Sequence, residues 1–448
     1  MQKINSQPVL SPGALMLGCL TATGILHVLT MVFVCSMGPS LQSFMVMLLN
    51  GTAALFLGTV LTRPRPRTAE PLLMLGMGFF LWTVVLELLN LRDFSLFFHY
   101  EPRFPMNTFL CEYLMLLPMA AMLDENGRDR GLKVYFSCFF AGLAVYIVLG
   151  LMLATDTLPE KLSSIILWRG TRLGLMWHPN VLSGLLLVGF GVTLTLGWAV
   201  RWLRIPMVLL AAVEYYLMAL TNTRTVTIMA ACIAGGVVFF LIYGNHISWK
   251  RFLVGLLAAV LVIGLMFSIS TMIYSSHVEH FTTDSQELEQ ALWQAGQGSL
   301  RSDFTDFNSR GGIWKGALRA IKDHPAILFR GTWDIGGLIS PYNAFRVSHA
   351  HNAWLQTLMG TGLVGLGFCL VLTWLAVKNI LLVWFVKEST MYQKIVGLMT
   401  TAIMGAQMME VYIFYTQFPH SGVQAAYMLC VGYLVYWGKT LPDRKKTA

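Results

Sequence analysis

The segment Ser348-His349-Ala350-His351-Asn352-Ala353-Trp354-Leu355-Gln356 runs on into Gly360-Thr361-Gly362-Leu363-Val364-Gly365. A polar stretch ends at Asn352, and the residues beyond it stay apolar long enough to cross a bilayer, which takes about 20 residues. Two imidazoles and an amide therefore stand at the mouth of an apolar helix. From these residues alone two readings are open: a polar cap that satisfies the first N–H groups of a helix, or a proton-accepting site. A helix N-terminus disfavours imidazolium and so suits a histidine to accept a proton.

The rest of the chain sets the context. Of its 448 residues 56% are hydrophobic and 12% charged, and mean hydropathy is +0.63. A soluble domain carries about 25% charged residues, so the sequence reads as a polytopic membrane protein. The net charge of +9 comes from lysines and arginines in short loops between apolar runs. That placement fits topology signals and anionic headgroups and excludes a nucleic-acid face. The seven cysteines fall mostly inside apolar runs without CxxC spacing, which argues against a disulfide framework or a zinc site. Residues 13–36 are expected to remain as a first span, since no cleavage site of small residues follows them.

Apolar runs lie near 13–36, 41–61, 71–90, 107–123, 131–153, 179–198, 203–220, 225–243, 252–272, 352–377, 393–413 and 422–438. The expected fold is thus an all-α polytopic membrane bundle of about twelve transmembrane helices. Residues 1–272 would hold spans one to nine, 273–350 a large extracytoplasmic loop, 351–438 spans ten to twelve, and 439–448 a cytoplasmic tail. Every even-numbered loop is basic: Arg63, Arg65 and Arg67; Arg128, Arg130 and Lys133; Arg201 and Arg204; Lys250 and Arg251; Lys378, Lys387 and Lys394. The tail adds Lys439, Arg444, Lys445 and Lys446. Both termini are therefore expected in the cytoplasm and the odd-numbered loops outside. Within the largest outer segment, Ile313, Trp314, Ala317, Leu318 and Ile321 recur at helical spacing before His324-Pro325, which predicts an amphipathic interfacial helix.

That topology puts His349 and His351 outside, with other polar groups on the same face. Arg224 opens span eight within Thr221-Asn222-Thr223-Arg224, and Arg310 opens the amphipathic segment. Each alone reads as a snorkelling or solvated charge. Together with a helix N-terminus they would suit a phosphate or diphosphate, which guanidinium binds through paired N–H donors. His178 and Asn180 open span six on that side and are candidates to line the same cavity. A zinc site is disfavoured, because His-x-His offers two ligands and no neighbouring cluster completes a tetrahedron. Glycines 360, 362, 365 and 367 read as a close-packing face. Phosphate-loop and Ser-His-Asp motifs are absent.

These residues resemble the O-antigen ligase and O-antigen polymerase superfamily, multi-pass bacterial glycosyltransferases. The likeness rests on His178-Pro179-Asn180, Thr223-Arg224, Arg310 followed by Trp314 and His324-Pro325, and above all His351-Asn352 with Leu355-Gln356 and Gly362-Leu363-Val364-Gly365. It is best over spans six to ten; the first five spans match in hydropathy only. Thr223-Arg224 replaces the Ser-Arg common in the family. The resemblance implies a glycan donor on undecaprenyl diphosphate, a saccharide or lipid-linked acceptor, and inverting transfer outside the cytoplasmic (inner) membrane with no metal or other cofactor. It casts His351 as general base, with His349 and Asn352 as secondary catalytic candidates. Arg224 and Arg310 would hold the diphosphate, and His178, Asn180, Gln356 and Trp314 would line the cavity. Ligation, as in lipopolysaccharide biosynthesis, and polymerisation of polysaccharide repeat units both fit. The competing class is a transporter or flippase of lipid-linked glycans, which would use acids within spans such as Glu87, Glu214 and Glu410.

Overall fold

Where the sequence turns apolar, the chain turns helical. The computed structural model describes residues 12–33, 39–61, 69–89, 114–119, 129–162, 167–169, 171–175, 178–244, 248–282, 308–332, 334–343, 347, 349–412 and 421–444. Its helices are α1 (Pro12–Phe33), α2 (Pro39–Leu61), α3 (Glu70–Leu89), α4 (Arg130–Ala154), α5 (Pro179–Ala199), α6 (Arg204–Leu220), α7 (Arg224–Tyr243), α8 (Trp249–Thr282), α9 (Asn308–Asp323), α10 (Ile327–Arg330), α11 (Ile335–Ile339), α12 (Ala353–Phe385), α13 (Met391–Ala406) and α14 (Ser421–Arg444). Among the described residues six segments are long and apolar enough to cross a membrane: α4, α5, α6 with the 3-10 turn before it, α7, α8 and α12. The chain is a multi-pass membrane protein. Of the expected span at 107–123, only 114–119 lie among the described residues.

Helices alone do not account for the fold. Between α4 and α5 the chain forms an antiparallel hairpin, β1 (Leu167–Arg169) with β2 (Arg172–Leu175), packed on α5. It adds a small strand element to the all-α expectation. Helix α5 is the hub: 89% of its spanning window is buried, against 11% for α8. It contacts α4, α6, α7, α13 and α14, while α8 leans on α7 and turns Leu257, Leu261, Leu265 and Met272 outward. Such a face suits lipid contact, where all backbone bonds must close within the helix.

Several expected spans end differently from their hydropathy, α12 at Phe385 where 377 was expected and α14 at Arg444 where 438 was expected. At about 1.5 Å per residue α8 is roughly 50 Å long, beyond the ~30 Å hydrocarbon core, so its 34 residues project past the expected end at 272. Conversely α13 stops at Ala406, short of the expected 413, and residues 407–412 turn back toward the start of α12. Ala353 N donates to Gln407 O at 3.0 Å there.

Helix α12 is continuous in hydropathy but broken at Gly362, where φ is +68 and ψ −171. A Cβ at that position would lie 2.8 Å from Leu328 O. The break frees carbonyls that hydrocarbon cannot satisfy, and side elements supply donors: Trp82 Nε1 to Thr361 O at 2.8 Å and Thr332 N to Met359 O at 2.8 Å. The glycine at 362 therefore makes a kink that α10 packs into, a narrower role than the packing face expected from sequence.

Lys394, from the loop expected as tenth, reaches Gly244 O of the eighth at 3.4 Å. Tyr433, midway along α14, donates to Asp129 Oδ1 of the fourth at 2.9 Å, and Lys133 sits 5.6 Å over the Tyr392 ring. Residues of the fifth, seventh and ninth connections gather around Glu410.

Candidate functional site

Glu410 follows the last turn of α13, and the backbone that folds back after Ala406 buries its side chain to 5% exposure. Its Oε2 accepts Asn180 Nδ2 at 2.7 Å and His351 Nδ1 at 3.2 Å, with Arg310 Nη2 at 3.9 Å. Its Oε1 accepts Val411 N at 3.2 Å and faces His349 Nε2 at 3.6 Å. Burial pushes the carboxyl upward, but the hydrogen bond from His351 and the electrostatic attraction of His351, His349 and Arg310 outweigh it and hold the group well below the usual carboxylate range. A carboxylate kept ionised is an acceptor only.

That property orders the two histidines. The ring nitrogen of His351 facing Glu410 must be the donor, so Nδ1 carries a proton, and in the neutral ring the lone pair is on Nε2. His349 is arranged differently. Its Nδ1 accepts the backbone N–H of His351 at 3.3 Å, which puts its proton on Nε2, toward Glu410. The rings lie 3.9 Å apart at 43°. His351 reaches this position with φ +48, a left-handed conformation that histidine adopts more readily than most side chains and that costs about 1 kcal/mol or more. The strain is retained at the residue whose ring must point at Glu410.

Neighbouring side chains fix the loop. Asn352 caps α12 through Oδ1, which accepts Leu355 N at 3.0 Å, and its Nδ2 donates to Met408 O at 3.0 Å. Gln356 Oε1 accepts Ala350 N at 2.9 Å. Both amides are thus engaged with backbone: Asn352 performs the capping role weighed for it in the sequence, and Gln356 braces the histidine turn. His178 caps α5, accepting Asn180 N at 3.3 Å. Trp314, one turn beyond Arg310 on α9, packs against the apolar core, with its Nε1 buried and without a hydrogen-bond partner among the described residues.

On the far side of Asn180 stands Arg172, at the start of β2. It donates from Nη2 to Asn180 Oδ1 at 2.8 Å and Thr223 Oγ1 at 3.2 Å, and from Nε to Thr221 O at 2.8 Å. Thr223 precedes Arg224, the first residue of α7. Tyr412 closes the group from below: its hydroxyl donates to Asn180 O at 2.9 Å, and burial first, then the Glu410 charge, raises its ionisation above the ordinary range. Gly184 makes that approach possible, because a Cβ there would lie 2.5 Å from the Tyr412 ring.

The structure thus brings together Asn180, Arg310, His349 and His351, as expected for one face, and places Arg224 at the adjoining helix start. Glu410 and Arg172 are the residues the sequence reading passed over as site members. Glu410 read as an acid within span eleven, and Arg172 lies in the connection before span six, apart from the motifs singled out there. The same alternation that put residue 351 outside also puts the end of span eleven there, which is the signal that could have found Glu410. The glutamate also changes the count of metal donors. His349, His351 and Glu410 each bring one ligand atom within 4.8 Å of the others, a third ligand that the His-x-His spacing lacked. By type the set suits a divalent transition metal. In the present arrangement the same oxygens serve Asn180 and the histidines.

Residues 205–370 match the protein family described as O-antigen ligase. No curated protein matches the chain. The matched segment runs from α6 to the middle of α12, so it includes Arg224, Arg310, His349 and His351 and stops before Glu410.

Proposed function

We propose, taking the O-antigen ligase segment at residues 205–370 as premise, that this membrane protein is a glycosyltransferase. It transfers a glycan from an undecaprenyl-diphosphate carrier to an acceptor hydroxyl on the extracytoplasmic face of the inner membrane, with both termini in the cytoplasm. The observation that carries this reading is the Glu410-held pair His351 and His349 beside Arg310. Glu410 keeps His351 Nδ1 protonated and Nε2 basic, the orienting arrangement by which a buried carboxylate prepares an imidazole for general-base work.

In this scheme the acceptor O–H gives its proton to His351 Nε2 as its oxygen attacks the anomeric carbon. The bond from that carbon to the diphosphate oxygen breaks, and the diphosphate departs with the electron pair. Attack opposite the leaving group inverts the anomeric centre. The imidazolium that forms is stabilised by Glu410, which is why a buried anion belongs there. Arg310 and Arg224 supply positive charge and paired N–H donors to the departing diphosphate, a role that needs no metal. His349, whose lone pair is directed at the His351 backbone, holds the loop and turns its Nε2–H toward Glu410, so the base role falls to His351.

The test uses purified protein in nanodiscs with a synthetic polyprenyl-diphosphate glycan and a panel of acceptors: lipid A core, a second lipid-linked unit, and a free saccharide. Glycan joined to acceptor with release of polyprenyl diphosphate supports the proposal, and the productive acceptor separates ligase from polymerase. Movement of the intact lipid across liposomes without product would replace it with the transporter reading.

A further inference from the structure

We infer that Arg172 is a positioning residue for transfer, acting on His351 through Asn180 and Glu410. This inference rests on the glycosyltransferase reading above. Four side chains from four parts of the chain form one line of hydrogen bonds: Arg172 Nη2 to Asn180 Oδ1 at 2.8 Å, Asn180 Nδ2 to Glu410 Oε2 at 2.7 Å, and His351 Nδ1 to the same Oε2 at 3.2 Å. The donor and acceptor inventory makes the order compulsory. A guanidinium only donates, so the Asn180 amide must turn its oxygen to Arg172. The amide nitrogen is then obliged to face Glu410. An amide turned the other way would set a lone pair against an ionised carboxylate.

Arg172 thus sets the polarity of Asn180, Asn180 anchors the carboxylate oxygen, and that oxygen selects the tautomer of His351. The same guanidinium holds the turn before α7. Its Nε donates to Thr221 O at 2.8 Å and its Nη2 to Thr223 Oγ1 at 3.2 Å, on either side of Asn222, whose φ is +48. One residue of the hairpin therefore ties the turn that presents Arg224 to the carboxylate that orients the base. Lysine in its place would keep the charge but not the planar fork that reaches Thr221 O and Asn180 Oδ1 together. Nothing in the hydropathy of the chain marks residue 172; the hairpin that lifts it to the cluster does.

The experiment compares wild type, Arg172→Gln, Arg172→Lys and Asn180→Asp in nanodiscs, with two readouts. The first is the 15N spectrum of histidine-labelled protein, assigned to His351 by difference against His351→Asn. Wild type should show the Nδ1-protonated tautomer, and both Arg172 variants a mixture. The second is transfer kinetics with the polyprenyl-diphosphate donor. kcat should fall about 10–100-fold, the usual range for a residue that orients a ligand or base from behind, while donor KM stays within about twofold. Arg172→Lys should not rescue, and Arg172→Gln added to Glu410→Gln should cost nothing further. A rise in donor KM at unchanged kcat would make Arg172 a diphosphate ligand, and full activity in Arg172→Lys would reduce it to a charge; either overturns the proposal. An unchanged His351 tautomer in both variants overturns it too, whether or not transfer can be measured. Wild type without transfer, but with the predicted tautomer change, would refute the enzyme reading and leave the positioning relay standing. A variant that aggregates is replaced by Asn180→Asp, which must show the same tautomer change.

Discussion

His351 carries two costs at once: a left-handed backbone at φ +48 and a ring packed 3.9 Å from another imidazole. Both are explained if the ring must meet Glu410. Replacing Glu410 with Gln keeps the shape but presents an amide that can donate as well as accept, so the proton of His351 is no longer confined to Nδ1. Transfer by Glu410→Gln should fall by about 10²-fold or more, with donor KM little changed, measured as product per enzyme at saturating donor. Arg310→Ala should lower kcat by about 10²–10³-fold, the scale of a lost donor to developing negative charge, and a leaving group of lower pKa should partly restore it. Glu410 also links stability to pH. Its carboxyl is held below the usual range, so its contribution is present above the unfolded value near 4.3 and is lost as pH falls through the folded value. Melting curves in detergent should therefore drop in wild type below about pH 4, and the Glu410→Gln protein should lose less over the same range.

Elements were legible to different depths. Hydropathy located α5 to α7 within a residue or so because each is bounded by basic or polar loops, and it placed the start of α8 but not its end at Thr282. It overran α13, since Gln407-Met408-Met409 continues the apolar composition after the helix has capped itself at Gln407. The kink of α12 was invisible for the same reason: composition does not change at Gly362, and what breaks the helix is the close approach of Leu328 O from α10. The hairpin was missed because β1 and β2 are 3 and 4 residues long, too short for alternation to register. Gly362→Ala tests the kink. A Cβ there meets a carbonyl oxygen and must adopt positive φ, so the protein should be destabilised by about 1–3 kcal/mol, read as a lower melting temperature. If Gly362→Ala is as stable as wild type, α12 is straight.

At the scale of the whole molecule, the alternation of basic loops in the sequence carries the expected topology, which labelling in intact cells tests. The site is then the meeting point of odd-numbered connections that are distant in sequence: residues 172–180, 221–224, 310, 349–352 and 410–412. Sequence could place these residues on one face; it could not pair Asn180 with Glu410, because a hydrogen bond across 230 positions depends on how α5 and α13 pack. In a cysteine-less background, His349→Cys should react with a membrane-impermeant maleimide in intact cells, and Asp129→Cys only after the inner membrane is opened. Labelling in the reverse order would invert the topology and put the proposed site in the cytoplasm. The most direct measurement is transfer by the His351→Ala protein, purified and correctly inserted, with a polyprenyl-diphosphate glycan and a productive acceptor. The account predicts that kcat falls by about 10²–10⁴-fold, the contribution of a positioned general base, with donor binding retained. Undiminished transfer by His351→Ala would contradict it.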